Sequence, residues 1–300
     1  MPDKLKYSIV MFVAGSCYGI VVPLVRTAYG VGFSTAEVMV TQYLAAAGAM
    51  SLMVLLFSRH KMALVDVVKL LGVGVVAAGV SFCYFRALEL LPSATALTLL
   101  FQFVWMGMVV QTIRERALPR LGAVLAVILV MAGAVLATGL AETDTALGNL
   151  DPLGVLFGLL SAAFYTAFLV LSSKVAIQLP AVNRTMVTTI GSLAVAFALS
   201  PTYFSRPMIV EIAPLSLALG LIGICLPVFL IALSSPKLPS GLTTVMASSE
   251  LPSGVVCAVV FLGDALPLSV ALGVVVVLVG IVLSELESLR RSSRAARNGP

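Results

Sequence analysis

Charged residues are scarce in this chain. Asp, Glu, Lys and Arg make up 10% of its 300 residues, against about 25% in an ordinary soluble domain. A water-facing surface cannot be assembled from so little charge, which excludes a soluble enzyme. There is one histidine, His60, set between Arg59 and Lys61, and four cysteines (Cys17, Cys83, Cys225, Cys257) with no Cys-x-x-Cys spacing. That leaves no His/Cys cluster for zinc or iron, so no metal or other cofactor is expected. The cysteines each lie within an apolar stretch and read as small buried hydrophobes. No Walker lysine motif is present, so ATP does not drive any process within this chain. An intramembrane serine protease would need a histidine inside a span, and His60 is outside one. The only dinucleotide-like spacing, Gly72-x-Gly74-x-x-Ala77, sits in an apolar run with no strand before it and is discounted.

What the chain has in abundance is apolar length. Hydrophobic residues are 60% of the total and the mean hydropathy is +1.13. Disorder, which needs low hydrophobicity and high charge, is excluded. Long Val/Leu/Ala/Gly runs favour helices over a barrel, whose strands alternate polar and apolar residues. A bilayer core about 30 Å thick takes roughly 20 helical residues. Ten such segments are present, at 7–25, 35–57, 68–90, 93–113, 119–139, 152–171, 183–200, 213–233, 239–262 and 267–286. The expected fold is therefore an all-α integral membrane bundle whose main partner is the lipid bilayer.

The net charge of +5 is set by topology rather than by a patch for nucleic acid. With the N-terminus placed in the cytoplasm, fifteen of the 18 basic residues fall inside, Arg184 among them; Arg26 and Arg206 fall outside and Arg86 within a span. Glu142, Asp144 and Asp151 collect in the outer links. This positive-inside bias places both termini in the cytoplasm, as an even number of spans requires. The first segment follows Lys4 and Lys6 as a signal peptide would, but the repeat described next requires it as a retained helix. The arginine-rich tail (289–300) reads as topogenic and without regular structure, with anionic lipid as a minor partner.

The chain resembles itself at a fixed offset. Ala14-Gly15-Ser16-Cys17-Tyr18 parallels Ser161-Ala162-Ala163-Phe164-Tyr165, and Leu91-Pro92-Ser93 parallels Leu238-Pro239-Ser240, both at 147; Ala117-Leu118-Pro119 parallels Ala265-Leu266-Pro267 at 148. Two repeats of five helices follow, 1–147 and 148–288. Five is odd, so the second repeat enters from the opposite side, an inverted-topology repeat as in many secondary transporters.

The ending Glu250-x-Pro252…Leu262-Gly263-Asp264-Ala265-Leu266-Pro267, with Gly273 in the last helix and Ala87-Leu88…Leu91-Pro92 in the first half, resembles the EamA-type repeat of the drug/metabolite transporter superfamily. Leu251 intervenes between Glu250 and Pro252, and Arg114-Glu115-Arg116 stands where the second half has Leu-Gly-Asp; both depart from the family pattern. The resemblance implies a secondary transporter of the bacterial inner membrane. The polar-aromatic midplane most resembles the YddG-type exporters of aromatic and other neutral amino acids. Another small metabolite or a lipophilic cation is the alternative cargo, and a scaffold or receptor without flux the alternative from another class. An amino-acid-like solute and a coupling proton are the implied partners, and a monomer is expected.

Polar residues at depth are the candidate site, because charge near the bilayer centre costs about 2.5–3.5 kcal/mol on insertion scales. Glu250 either meets a substrate amine or proton or ties neighbouring helices together. Trp105, with Gln102 three residues earlier, either walls a pocket or packs in the core. Tyr18, Tyr165, Tyr84, Gln42, Tyr43, Ser248 and Ser249 complete the candidate cavity. Arg86 and Glu89 share a helix face and form either a local ion pair or an exit gate. Gly15-x-x-x-Gly19 and Gly154-x-x-x-Gly158 read as close-packing surfaces, and Pro23, Pro227 and Pro252 as kinks.

Overall fold

In hydrocarbon no water is present to satisfy a free N–H or C=O, so a spanning backbone must satisfy its own groups. A chain this apolar accordingly folds into helices. The computed structural model describes residues 2–30, 32–58, 60–138, 150–201, 213–263 and 266–297. Every long regular element among them is helical: α1 (Pro2–Gly30), α2 (Thr35–Phe57), α3 (Leu64–Leu90), α4 (Ser93–Leu100), α5 (Phe103–Glu115), α6 (Leu121–Ala137), α7 (Pro152–Ser172), α8 (Ala181–Leu199), α9 (Ala213–Gly220), α10 (Leu226–Ser234), α11 (Ser240–Ala247), α12 (Glu250–Cys257) and α13 (Leu268–Arg297). Three rods are assembled from pieces, α4 with α5, α9 with α10, and α11 with α12. Among the described residues nine rods are long and apolar enough to cross a membrane, and α6 is a shorter tenth of 17 residues. Glu142, Asp144, Arg206, Asp264 and the 147/148 repeat boundary lie outside the described residues.

Local chemistry sets the ends. Ser34 and Glu37 form a reciprocal capping box at the start of α2, with Glu37 Oε2 accepting from Ser34 N at 2.8 Å. Asp151 caps α7 by accepting from Leu153 N at 2.8 Å, and Pro152 occupies the first turn, where its missing N–H costs nothing. The basic tail differs from expectation, because α13 continues as helix to Arg297. The reason is compositional: no Gly or Pro interrupts 281–297, and Leu, Glu, Arg and Ala there are good helix formers.

Two interruptions follow from proline. Pro227 offers no N–H to Gly223, and its ring would strike that carbonyl; the turn Leu221–Cys225 widens to a π turn there. Pro252 likewise leaves Ser248 O without its i+4 donor. The rod breaks at Ser248-Ser249, and Leu251 N bonds Ser248 O in a tighter turn. The break between α4 and α5 falls at Phe101-Gln102, 147 residues earlier, without any proline. Gln102 N and Val104 N take i−3 carbonyls there.

The helices alternate in direction. Leu91 meets Gly154 at one end of the bundle, where α3 finishes and α7 begins. Lys4 Nζ approaches Ser288 O at the other end, where α1 begins. Packing is close where small residues allow it. A Cβ at Gly133 would lie 2.7 Å from Val277 N and 2.8 Å from Gly273 O, so α6 and α13 touch almost backbone to backbone. Gly19 faces Ser253, Gly254 N and Glu250 O in the same way, joining α1 to α12. Outward faces carry large apolar side chains such as Leu55, Phe57 and Val282, while Thr and Ser are buried, the distribution expected for contact with lipid.

Overpacking that seam should be costly. Gly133→Leu is expected to lower stability by about 1–3 kcal/mol, read as a fall in thermal midpoint in detergent. Gly72→Ala, where nothing lies within 4 Å, should be neutral or stabilising by up to about 1 kcal/mol. Equal effects at both positions would contradict the α6–α13 contact.

Candidate functional site

Where α11 gives way to α12, Glu250 enters the first turn of α12 near the middle of its rod. Around it α1, α2, α3, α4, α7, α8, the Leu221–Cys225 turn and α10 leave a cavity of about 440 Å³. The lining at mid-bundle is Tyr18, Gln42, Tyr43, Ser81, Tyr165, Phe168, Thr188, Thr189, Ser192 and Glu250. Further out it passes Tyr84, Phe85, Leu88, Ala94 and Leu97 and reaches Ala137, Thr138 and Val270. Those last residues lie at the end of α6 and the start of α13. The cavity therefore runs from the middle of the bundle toward the end opposite Lys4.

Aromatic packing fixes its shape. Tyr18 and Tyr165 meet edge to face with ring centroids 6.0 Å apart, and Phe103 backs Tyr165 at 4.6 Å. Tyr43 Oη donates to Ala77 O at 3.3 Å and accepts from Ser81 Oγ at 2.8 Å. The Tyr165 hydroxyl is buried and has no partner among the described residues. Glu250 is the one Asp, Glu, Lys or Arg among the described residues of the lining. Among the described residues its carboxylate accepts no hydrogen bond and has no ion-pair partner. Its side chain lines the cavity.

Six expected site residues are brought together here: Glu250, Tyr18, Tyr165, Tyr84, Gln42 and Tyr43. The others are placed elsewhere. Trp105 is 40% exposed on the outer face of α5, and its indole N–H donates to Gln102 Oε1 at 2.8 Å. The inward face of α5 is taken by Phe103, Val104 and Gly107, so the Trp105–Gln102 pair lies outside the lining. Ser248 and Ser249 are fully buried. Ser248 Oγ donates to Val245 O at 2.5 Å and Ser249 Oγ to Phe12 O at 2.6 Å. One and two residues before Glu250 a helix points elsewhere, and these hydroxyls serve the break and the α1 contact. Arg86 and Glu89 form the local ion pair, about 40% exposed, with Thr35 Oγ1 donating to Glu89 at 2.6 Å. Neither lines the cavity. The four cysteines are free and buried.

Sequence reasoning missed the polar face of α8. Thr188 and Ser192, four apart in an apolar helix, were the available signal. It also did not foresee that Arg184, counted among the inner-face cations, is buried. Arg184 is 4% exposed and donates through Nη1 to Ala232 O at 2.7 Å and through Nη2 to Ser172 O. Link-by-link counting treats a cation near a helix start as solvated, whereas the ends of α7 and α10 close over this one.

Two tyrosines should respond oppositely. Tyr43→Phe removes a satisfied hydroxyl and is expected to cost about 0.5–1.5 kcal/mol. Tyr165→Phe removes an unpartnered one and should leave the unfolding midpoint unchanged or raised. A larger loss at Tyr165 would show that its hydroxyl is bonded within the protein.

No family model and no curated protein matches the chain. Solved structures do match. One, described only as a crystal structure of protein, superposes with a TM-score of 0.77 over 94% of this chain and 98% of its own, at 16% identity. The likeness extends over the whole helical bundle and concerns the fold alone.

Proposed function

We propose that the chain is a secondary transporter of the drug/metabolite class, working by alternating access and exporting small aromatic solutes that carry an amino group. The observation that carries this reading is the lone Glu250 carboxylate, unpartnered among the described residues, at the inner end of a cavity walled by tyrosines. An unpaired carboxylate in such a site is costly, and an incoming ammonium compensates it while the rings cover the apolar body. Two features support the inverted repeat. The fourth and ninth rods break at positions 147 residues apart. The packing also exchanges the halves: α3 lies on α7 and α8, as the α9–α10 rod lies on α1 and α2. Because both halves contribute lining, one chain supplies a full site, and a monomer suffices. In this reading the chain lies in the bacterial cytoplasmic membrane with both termini inside, and the cavity faces outward.

The cargo divides into two classes. A neutral or aromatic amino acid needs a partner for its carboxylate as well, and the described lining offers only hydroxyls and the Gln42 amide for it. A lipophilic amine needs only Glu250. The single charge of the lining thus favours monocationic aromatic amines over zwitterions. A proton competes for the same carboxylate and serves as the exchanged ion.

Purified protein in liposomes should take up labelled aromatic monoamines saturably, and Phe, Trp, Met and Thr more weakly. No saturable flux of any solute overturns the transporter reading; flux of amino acids without amines overturns the cargo assignment. Glu250→Gln is expected to weaken amine binding by about 2 kcal/mol or more, roughly 30-fold, and to abolish the pH dependence of flux. Trp105→Ala should leave flux and affinity unchanged.

A further inference from the structure

Arg184 is a buried guanidinium with no carboxylate beside it among the described residues. Its partners are two main-chain carbonyls, Ser172 O at the end of α7 and Ala232 O near the end of α10, and its Nε has none. Next to it Ser58 Oγ, just past α2, donates to Asn183 Oδ1 at 2.6 Å. Four rods, α2, α7, α8 and α10, are thus tied at the end of the bundle away from the cavity mouth. A desolvated cation held only by neutral acceptors is poorly compensated, and it would regain hydration if water entered from that end.

The position of Arg184 on α8 gives this a direction. Arg184, Thr188 and Ser192 recur at intervals of four and so lie on one face. Thr188 and Ser192 line the cavity. Arg184 sits one turn beyond Thr188, about 6 Å along the axis. The polar stripe of the cavity therefore continues beneath its floor into the tied end. We infer that the Arg184 clasp is the inner gate: it holds the bundle closed at the basic end, and its release extends the Thr188–Ser192 face into a passage open to that side. The inference rests on the transporter reading given above, but its test needs no cargo.

Ala232→Cys keeps the carbonyl that Arg184 grips and places a thiol at the clasp. The reagent is a membrane-impermeant maleimide, applied from the side of the N-terminus. The reporter protein is expected to react slowly, and addition of Arg184→Met should speed labelling about tenfold or more, a shift of ~1.4 kcal/mol in the closed–open balance. Arg184→Lys, a point charge that cannot span both carbonyls, and Ser58→Ala should each give a smaller increase. Cys17, Cys83, Cys225 and Cys257 are buried and report unfolding: a gate opening leaves them unlabelled, whereas a collapsed variant labels all. If Arg184→Met collapses, Arg184→Lys and Ser58→Ala carry the test. Unchanged labelling of the Ala232→Cys reporter in every folded variant overturns the gate. Saturable flux with unchanged labelling discards the gate alone, and accelerated labelling without flux of any solute discards the transporter reading alone.

Discussion

A backbone in hydrocarbon has to satisfy its own hydrogen bonds, and most of this structure follows from that requirement. It limits the chain to helices, and it governs how the helices are interrupted. At Ser248-Ser249 and at Phe101-Gln102 the rods do not unwind. They tighten, so that N–H groups exchange i−4 partners for i−3 ones. At Leu221–Cys225 the adjustment runs the other way, into a wider turn, because a proline ring must be accommodated. Each device redirects side chains while backbone hydrogen bonding continues in altered register. The break before Glu250 is the one that matters for the site, since it sets which residue of that rod meets the cavity.

The same requirement disposes of most polar side chains. Ser16 returns its hydroxyl to Phe12 O, Thr98 to Ala94 O and Thr112 to Met108 O, each at 2.9 Å. These residues are polar in the sequence but silent in the structure, because the carbonyl one turn back absorbs them. A carboxylate has no such option, since it can only accept, and the helical N–H groups around it are already committed. Glu250 therefore stands out among the polar groups at depth for a chemical reason, and the cavity lies where its demand can be met.

That distinction explains what could be read in advance. The spans were legible because bilayer thickness fixes helix length, and the observed rods follow the apolar runs closely except in α1 and α13, which run on past them. Glu250 and the tyrosines were legible because their types are anomalous at depth. Trp105, Ser248 and Ser249 were assigned to the cavity on depth alone. Depth comes from counting along the chain, whereas facing depends on which neighbours cover each side. Phe103, Val104 and Gly107 claim the inner face of α5 and leave Trp105 outside. Arg184 was counted among the inner-face cations by its position in the chain, and its burial comes only from the closure of α7 and α10 over it.

Glu250 and Arg184 are of opposite charge, yet each stands apart from the other's partners. Paired, they would satisfy each other and lock α8 to α12. Separated, each is undercompensated: the carboxylate faces a cavity, and among the described residues the guanidinium has only carbonyl oxygens. A fold selected only for stability has little use for two such groups, because apolar replacements of similar volume are often as stable. Under alternating access the separation is useful. In the proposed cycle a solute would compensate the carboxylate while the outer side is open, and water the guanidinium while the inner side is open. The two conformations can then lie close in energy, and the small free energy of binding a solute is enough to shift between them.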